Sequence, residues 1–85
     1  MPKQDTHPHW RVYIVECRDG TYYTGITPNI EQRIKTHNTG KGAAYTRGRG
    51  PVKLIYCEKF LTRSEASIRE YAIKKLTRSQ KEKLI

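Results

Sequence analysis

Eighty-five residues, 35% of them apolar, suffice for one thin hydrophobic core and leave no room for a second. Seventeen Lys and Arg against eight Asp and Glu give a formal charge of +9, an excess that repels itself and suits a polyanionic partner. No apolar run approaches a membrane span, no clean basic amphipathic segment suits a membrane surface, and Cys17 and Cys57 lack the spacing of a zinc site or disulfide framework.

A cytoplasmic single-domain protein with no membrane partner and with free, partly buried thiols is the expectation that remains. Residues 1–9 are polar, with two prolines and two histidines, and read as a flexible tail in which His7 and His9 have no role. The domain is expected over residues 10–85. Trp10 to Cys17 is rich in β-formers and predicts a strand, Arg18-Asp19-Gly20 a turn, and Thr21 to Thr27 a second strand, so the two form a hairpin. Thr27-Pro28 reads as a helix start, with Thr27 as N-cap and Pro28 at the first helical position. That helix runs to about Asn38, stops at Gly40, and turns Ile30 and Ile34 to the sheet.

Residues 39–51 form a glycine-rich basic loop. From Glu31 to Pro51 the only acidic residue is Glu31 itself, against Arg33, Lys35, Lys41, Arg47 and Arg49. Val52 to Phe60 predicts a third strand with Val52, Leu54, Tyr56 and Phe60 on one face. Thr62-Arg63-Ser64-Glu65 fits a capping box and opens a second helix to about Leu76, with a core stripe of Ala66, Ile68, Ala72, Ile73 and Leu76. Thr77 to Gln80 is a second capping box and opens a short C-terminal helix. The fold class is α/β (α+β): a three-stranded antiparallel sheet flanked by helices, in the order ββαβαα.

Three groups of residues carry chemistry. Tyr13 and Tyr23 stand on paired strands, where tyrosines ordinarily pack against neighbours. Arg33 and His37 lie at i and i+4 on one helix face, ordinarily a solvated basic face. Glu70 sits at the edge of the apolar stripe, where a carboxylate needs a partner; Lys74 in a salt bridge is the ordinary one, and a metal ion the alternative. Loop length decides whether the tyrosines meet. A two-residue turn of Asp19-Gly20 puts them on opposite faces; a three-residue loop, Arg18-Asp19-Gly20, puts them together and requires a positive φ at Gly20.

Taken in order, Arg11-Val12-Tyr13, Tyr23-Thr24-Gly25, Arg33, His37 and Glu70 resemble the GIY-YIG nuclease superfamily from about Trp10 to Leu76. The runs Asp19-Gly20, His37-Asn38, Gly42-Ala43 and Tyr45-Thr46-Arg47 are similar to its small stand-alone bacterial, YhbQ-like branch. The resemblance implies a DNA endonuclease in which Glu70 holds a single Mg²⁺ or Mn²⁺ and Arg33 stabilises charge on the scissile phosphate. Tyr13 acts as general base for water or holds it in line, His37 takes the proton from Tyr13, and Tyr23 orients the phosphate. A free tyrosine, with a pKa of about 10, needs such neighbours to act as a base.

Two positions depart from the superfamily's pattern. Arg11 replaces the first motif's glycine, and Ile26 follows Gly25 where the excinuclease branch has lysine. Lys41, Arg47 and Arg49 are candidates for phosphate contacts and Tyr45 for stacking on a base, of DNA first and with RNA not excluded. With no appended DNA-binding domain, substrate choice is low or comes from a protein partner. The alternative is a non-catalytic nucleic-acid-binding module, or a partner-dependent subunit, that retains the fold.

Overall fold

The computed structural model describes residues 9–85; the expected tail up to Pro8, with His7, lies outside the described residues. Strands β1 (Trp10–Glu16), β2 (Tyr22–Thr27) and β3 (Lys53–Phe60) form one antiparallel sheet in the order β2-β1-β3. Helices α1 (Ile30–Asn38), α2 (Arg63–Lys74) and α3 (Arg78–Leu84) complete the ββαβαα order that the sequence predicts. A single 3₁₀ turn, Ala44–Thr46, punctuates the glycine-rich loop.

As the central strand, β1 is covered on both faces, and its alternation creates two clusters. Val12 and Ile14 pack with Ala66 and Ile73 of α2 on one side. Tyr13 and Val15 pack with Cys17 and Val52 on the other, against Tyr23, Ile30 and Ile34. Each fully buried aliphatic side chain contributes about 1.5–3 kcal/mol by leaving water, so a chain with so few of them depends on every one.

The hairpin uses the three-residue loop. Cys17 N–H donates to Thr21 O (2.8 Å), Gly20 N–H donates to Cys17 O (2.9 Å), and Gly20 has φ of 85°. Asp19 Oδ1 accepts from the backbone and hydroxyl of Thr21 (3.1 and 2.6 Å), which fixes the turn further. Tyr13 therefore pairs with Gly25 and Val15 with Tyr23, so Tyr13 and Tyr23 are diagonal neighbours on one face.

Local details correct the sequence reading. Thr27 remains in β2, paired with Arg11, so the N-cap moves to Asn29, whose side chain accepts from Gln32 N–H (3.1 Å). Thr27 instead braces the turn by accepting from Asn29 N–H (3.1 Å). The face predicted for β3 is broken by an irregularity in its pairing with β1 at Ile14 and Val15. Val52 consequently joins the Tyr13 cluster, Tyr56 and Phe60 pack on the α2 side, and Leu54 is exposed. On α2, Ile68 and Ala72 are exposed, because Ile68 lies about 200° around the helix from Ala66 and Ala72 about 100° from Ile73. Helix α2 ends at Lys74, short of the expected Leu76. Cys17 is buried just beyond β1, whereas Cys57 is exposed rather than partly buried.

Candidate active site

The α1 face of the sheet holds a closed polar cluster built from three elements. Gly25 lies directly across from Tyr13 and has no side chain, so the phenol lies over it; a Cβ there would come within 2.5 Å of the Tyr13 oxygen. Helix α1 turns His37 toward the same oxygen with Arg33 one turn earlier, as the i, i+4 spacing requires. Tyr13 Oη and His37 Nε2 are 2.9 Å apart, and Arg33 Nε–H donates to Tyr13 Oη at 3.4 Å. Tyr13 has no exposed surface and His37 is 1% exposed, so these bonds form out of water and leave neither group a solvent alternative.

Tyr23 completes the cluster, with ring centroids 6.4 Å from Tyr13 and 5.5 Å from His37. Outside it lies Tyr45, stacked on Tyr23 at 5.9 Å and covered by the Arg49 guanidinium at 4.2 Å. Arg49 also faces Asp19 at 3.6 Å, and Arg18 donates to Gly48 O at 3.3 Å, so the loop is tied to the hairpin turn. Of the predicted nucleic-acid contacts, Lys41 and Arg47 are thus exposed, whereas Tyr45 and Arg49 are engaged with the protein itself.

Electrostatics set the resting protonation states. Burial pushes the Tyr13 phenol above its ordinary pKa; the Arg33 guanidinium works against that, while Tyr23 and Glu70 add to it. Burial, then the Arg33 charge, holds the His37 imidazole below its ordinary value. At neutral pH the pair is a neutral phenol beside a neutral imidazole.

Glu70 comes from α2, which packs against β1 and β2, and its charge adds to the effects that disfavour the Tyr13 phenolate. Its carboxylate pairs with Lys74 at 3.1 Å, the ordinary partner expected from sequence. Among the described residues no group of three His, Cys, Asp or Glu side chains is set to hold a metal ion. One carboxylate fits an ion that keeps its waters and takes its other oxygens from a phosphate, as Mg²⁺ does, and does not fit a preformed cage.

The sequence reading missed Thr46. It is 1% exposed, and its Oγ1 lies 2.8 Å from His37 Nδ1 and donates to Ala43 O at 2.9 Å. Gly42 explains why this loop can reach His37, since a Cβ at that position would overlap the imidazole. A glycine four residues before a threonine is a weak signal, and only the packing reveals the pair.

Residues 9–83 match the family described as the GIY-YIG catalytic domain. UPF0213 protein CPE1444 of Clostridium perfringens is 64% identical over 74 residues, covering 87% of this chain and 80% of the relative. A UPF0213 protein of Halobacterium salinarum is 58% identical, covering 86% of this chain and 95% of the relative. Among solved structures, the UPF0213 protein BH0048 from Bacillus halodurans is similar at 50% identity and TM-score 0.58, over 89% of this chain and 81% of that one. Protein EF2693 from E. faecalis is similar at 46% identity and TM-score 0.64, over 95% and 86%. Among the described residues no helix is long and apolar enough to cross a membrane. The chain belongs to the GIY-YIG family, in the nuclease superfamily, with the small UPF0213 proteins as its relatives.

Proposed function

We propose that this protein is a metal-dependent endonuclease that hydrolyses phosphodiester bonds of DNA. The observation that carries the reading is the buried contact between Tyr13 and His37, with the Arg33 guanidinium on the same phenol oxygen.

Hydrolysis needs a base for the attacking water and compensation of charge on the phosphate. At rest the phenol keeps its proton, and the neutral imidazole offers a ring nitrogen to receive it. A proton leaving Tyr13 crosses 2.9 Å to His37, and Arg33 stabilises the phenolate left behind. That phenolate takes the proton of a water aimed at phosphorus once substrate binding opens the cluster to it, since Tyr13 has no exposed surface at rest. The planar, permanently charged Arg33 also suits the developing charge on the phosphate oxygens, and Tyr23 orients them. Glu70, whose resting partner is Lys74, would hold the single Mg²⁺ or Mn²⁺, which supplies Lewis-acid charge at the phosphate when bound. Exposed Lys41 and Arg47 add non-specific attraction to the backbone, and selectivity for branched, nicked or damaged DNA, as in repair or recombination, is supplied by a partner protein.

The test is cleavage of supercoiled plasmid and branched DNA, with RNA in parallel, in Mg²⁺ and in Mn²⁺. Wild-type protein cuts, and Glu70→Ala and Tyr13→Phe do not; activity that survives both changes refutes the assignment. The full burial of Tyr13 and the Glu70–Lys74 pair favour a second reading, a nucleic-acid-binding module that does not cut. Binding without cleavage in either metal selects that reading.

A further inference from the structure

The reading above needs His37 Nε2 free to accept a proton, which an imidazole at rest provides in only one of its two neutral tautomers. The buried hydrogen bonds select that tautomer. Arg33 can only donate, so Tyr13 Oη already receives one hydrogen bond. If Nε2 carried the ring proton, it too would donate to Tyr13 Oη, and the phenol's own proton would have no acceptor in a side chain with no exposed surface. A buried donor left in that way costs about 1–3 kcal/mol.

With the proton on Nδ1, every hydrogen has a partner. Tyr13 O–H donates to Nε2 (2.9 Å), Nδ1–H donates to Thr46 Oγ1 (2.8 Å), and Thr46 O–H donates to Ala43 O (2.9 Å). The Nδ1 edge is shut on its other side by Gly42, packed so tightly against the ring that a methyl group there would overlap Nδ1. Thr46 is thus the side-chain partner of Nδ1, and it is itself buried and anchored by its own bond to the backbone.

We propose that Thr46 is a positioning residue that holds His37 in the Nδ1-protonated tautomer, so that Nε2 stands ready as the proton acceptor for Tyr13. Thr46 touches no substrate; it acts through His37. The loop of residues 42–46 is then part of the catalytic apparatus as well as a basic rim. The proposal rests on the nuclease reading for its purpose, but the tautomer is observable whether or not the protein cuts DNA.

The experiment is two-bond ¹H–¹⁵N correlation on ¹⁵N-histidine-labelled protein, with the His37 ring assigned by its loss in His37→Gln. The protonated and unprotonated ring nitrogens resonate far apart, so the tautomer is read directly. Wild-type protein shows the proton on Nδ1 and Thr46→Ser, which keeps the hydroxyl, keeps it there, whereas in Thr46→Val either tautomer leaves one buried donor unpaired and an Nε2-protonated population appears beside the Nδ1-protonated one. In Thr46→Val kcat falls with the fraction of molecules that leave the Nδ1-protonated tautomer, by roughly 2-fold or more, with KM little changed. An Nε2-protonated wild type, or Thr46→Val and Thr46→Ala proteins with no Nε2-protonated population, overturns the proposal. If Thr46→Val does not fold, Thr46→Ala decides, since it lacks the same acceptor and adds no methyl group. A wild type that cuts no DNA in any metal ends the nuclease reading and leaves these spectra to judge Thr46.

Discussion

The glycine of the second motif has a specific physical reason, and Gly25→Ala tests it. A Cβ at position 25 would lie 2.5 Å from Tyr13 Oη, 2.7 Å from Cζ and 3.1 Å from Cε2. Ordinary contacts lie at about 3.5–4.0 Å, so the ring must retreat by roughly 1 Å. It has nowhere to retreat, because its oxygen is held at 2.9 Å from His37 and its ring is buried between Tyr23 and the imidazole. Overpacking of this kind costs about 1–3 kcal/mol, from which about 0.5–1 kcal/mol is recovered by replacing a strand glycine with alanine.

The net loss, up to about 2.5 kcal/mol, lowers the Tm of a domain this size by up to roughly 20 °C. Cleavage falls more steeply, by on the order of 10²-fold, because a displacement near 1 Å disrupts the proton path. Thermal unfolding followed by circular dichroism gives the first quantity and plasmid nicking the second. A double-mutant cycle isolates the cause: Gly25→Ala costs less in a Tyr13→Phe background, since the oxygen is the atom met first. Equal costs in both backgrounds, or a Tm above the wild type's, would refute the close-approach explanation.

Other changes separate fold from site. Gly20→Ala forces an L-residue to φ near 85° and lowers stability by about 1–2 kcal/mol in urea titration, while Gly50→Ala, at an open position without positive φ, has a smaller effect. Burial and the Arg33 charge hold the folded-state pKa of His37 low, so the unfolded chain takes up that proton first as the solution is acidified. The stabilising contribution is complete above about pH 6.5 and is lost as the pH falls from there through the folded-state value; the urea midpoint of His37→Gln is accordingly flatter across that window. DNA affinity falls steeply with salt, and the double change Lys41→Ala, Arg47→Ala reduces the log–log slope by ~2 if both contact phosphates. An unchanged slope removes them from the interface.

How much of this was legible in the sequence depended on the range of the signal. Gly20 after Arg18-Asp19 was enough to choose the loop length, and the loop length put Tyr13 and Tyr23 on one face. The i, i+4 spacing brought Arg33 and His37 to one side of α1, and the capping residues Thr62 and Thr77 marked their helices. Thr27-Pro28 misled because the hairpin register keeps Thr27 in the sheet, a long-range constraint that overrides a good local cap. Ile68 is apolar but points away from Ala66 and Ile73, since helical angle and not hydrophobicity alone decides which side chains reach the core. Thr46 stayed hidden because its role depends on a glycine four residues earlier allowing close approach to a histidine on another element.

Tyr13 and Tyr23 belong to one of the two clusters that hold the sheet together, with Arg33 and His37 bonded to Tyr13, so substitutions there act on stability as well as chemistry, whereas Glu70 stands on α2. Tyr13→Phe removes the hydroxyl that faces His37 Nε2 and leaves a buried nitrogen without its donor, a cost of about 1–3 kcal/mol. Glu70→Ala breaks only an i,i+4 pair with Lys74 on the outer part of α2, with the two side chains 21% and 49% exposed, at a cost of about 1 kcal/mol or less. The two variants should therefore share a loss of cleavage and differ in Tm, with Tyr13→Phe the lower. If Glu70→Ala loses as much stability as Tyr13→Phe, its carboxylate is part of the packing, and its inactivity ceases to identify a metal ligand. If Tyr13→Phe melts with the wild type, the phenol–imidazole bond is weaker than its 2.9 Å separation and burial require, and the proton path built on it fails.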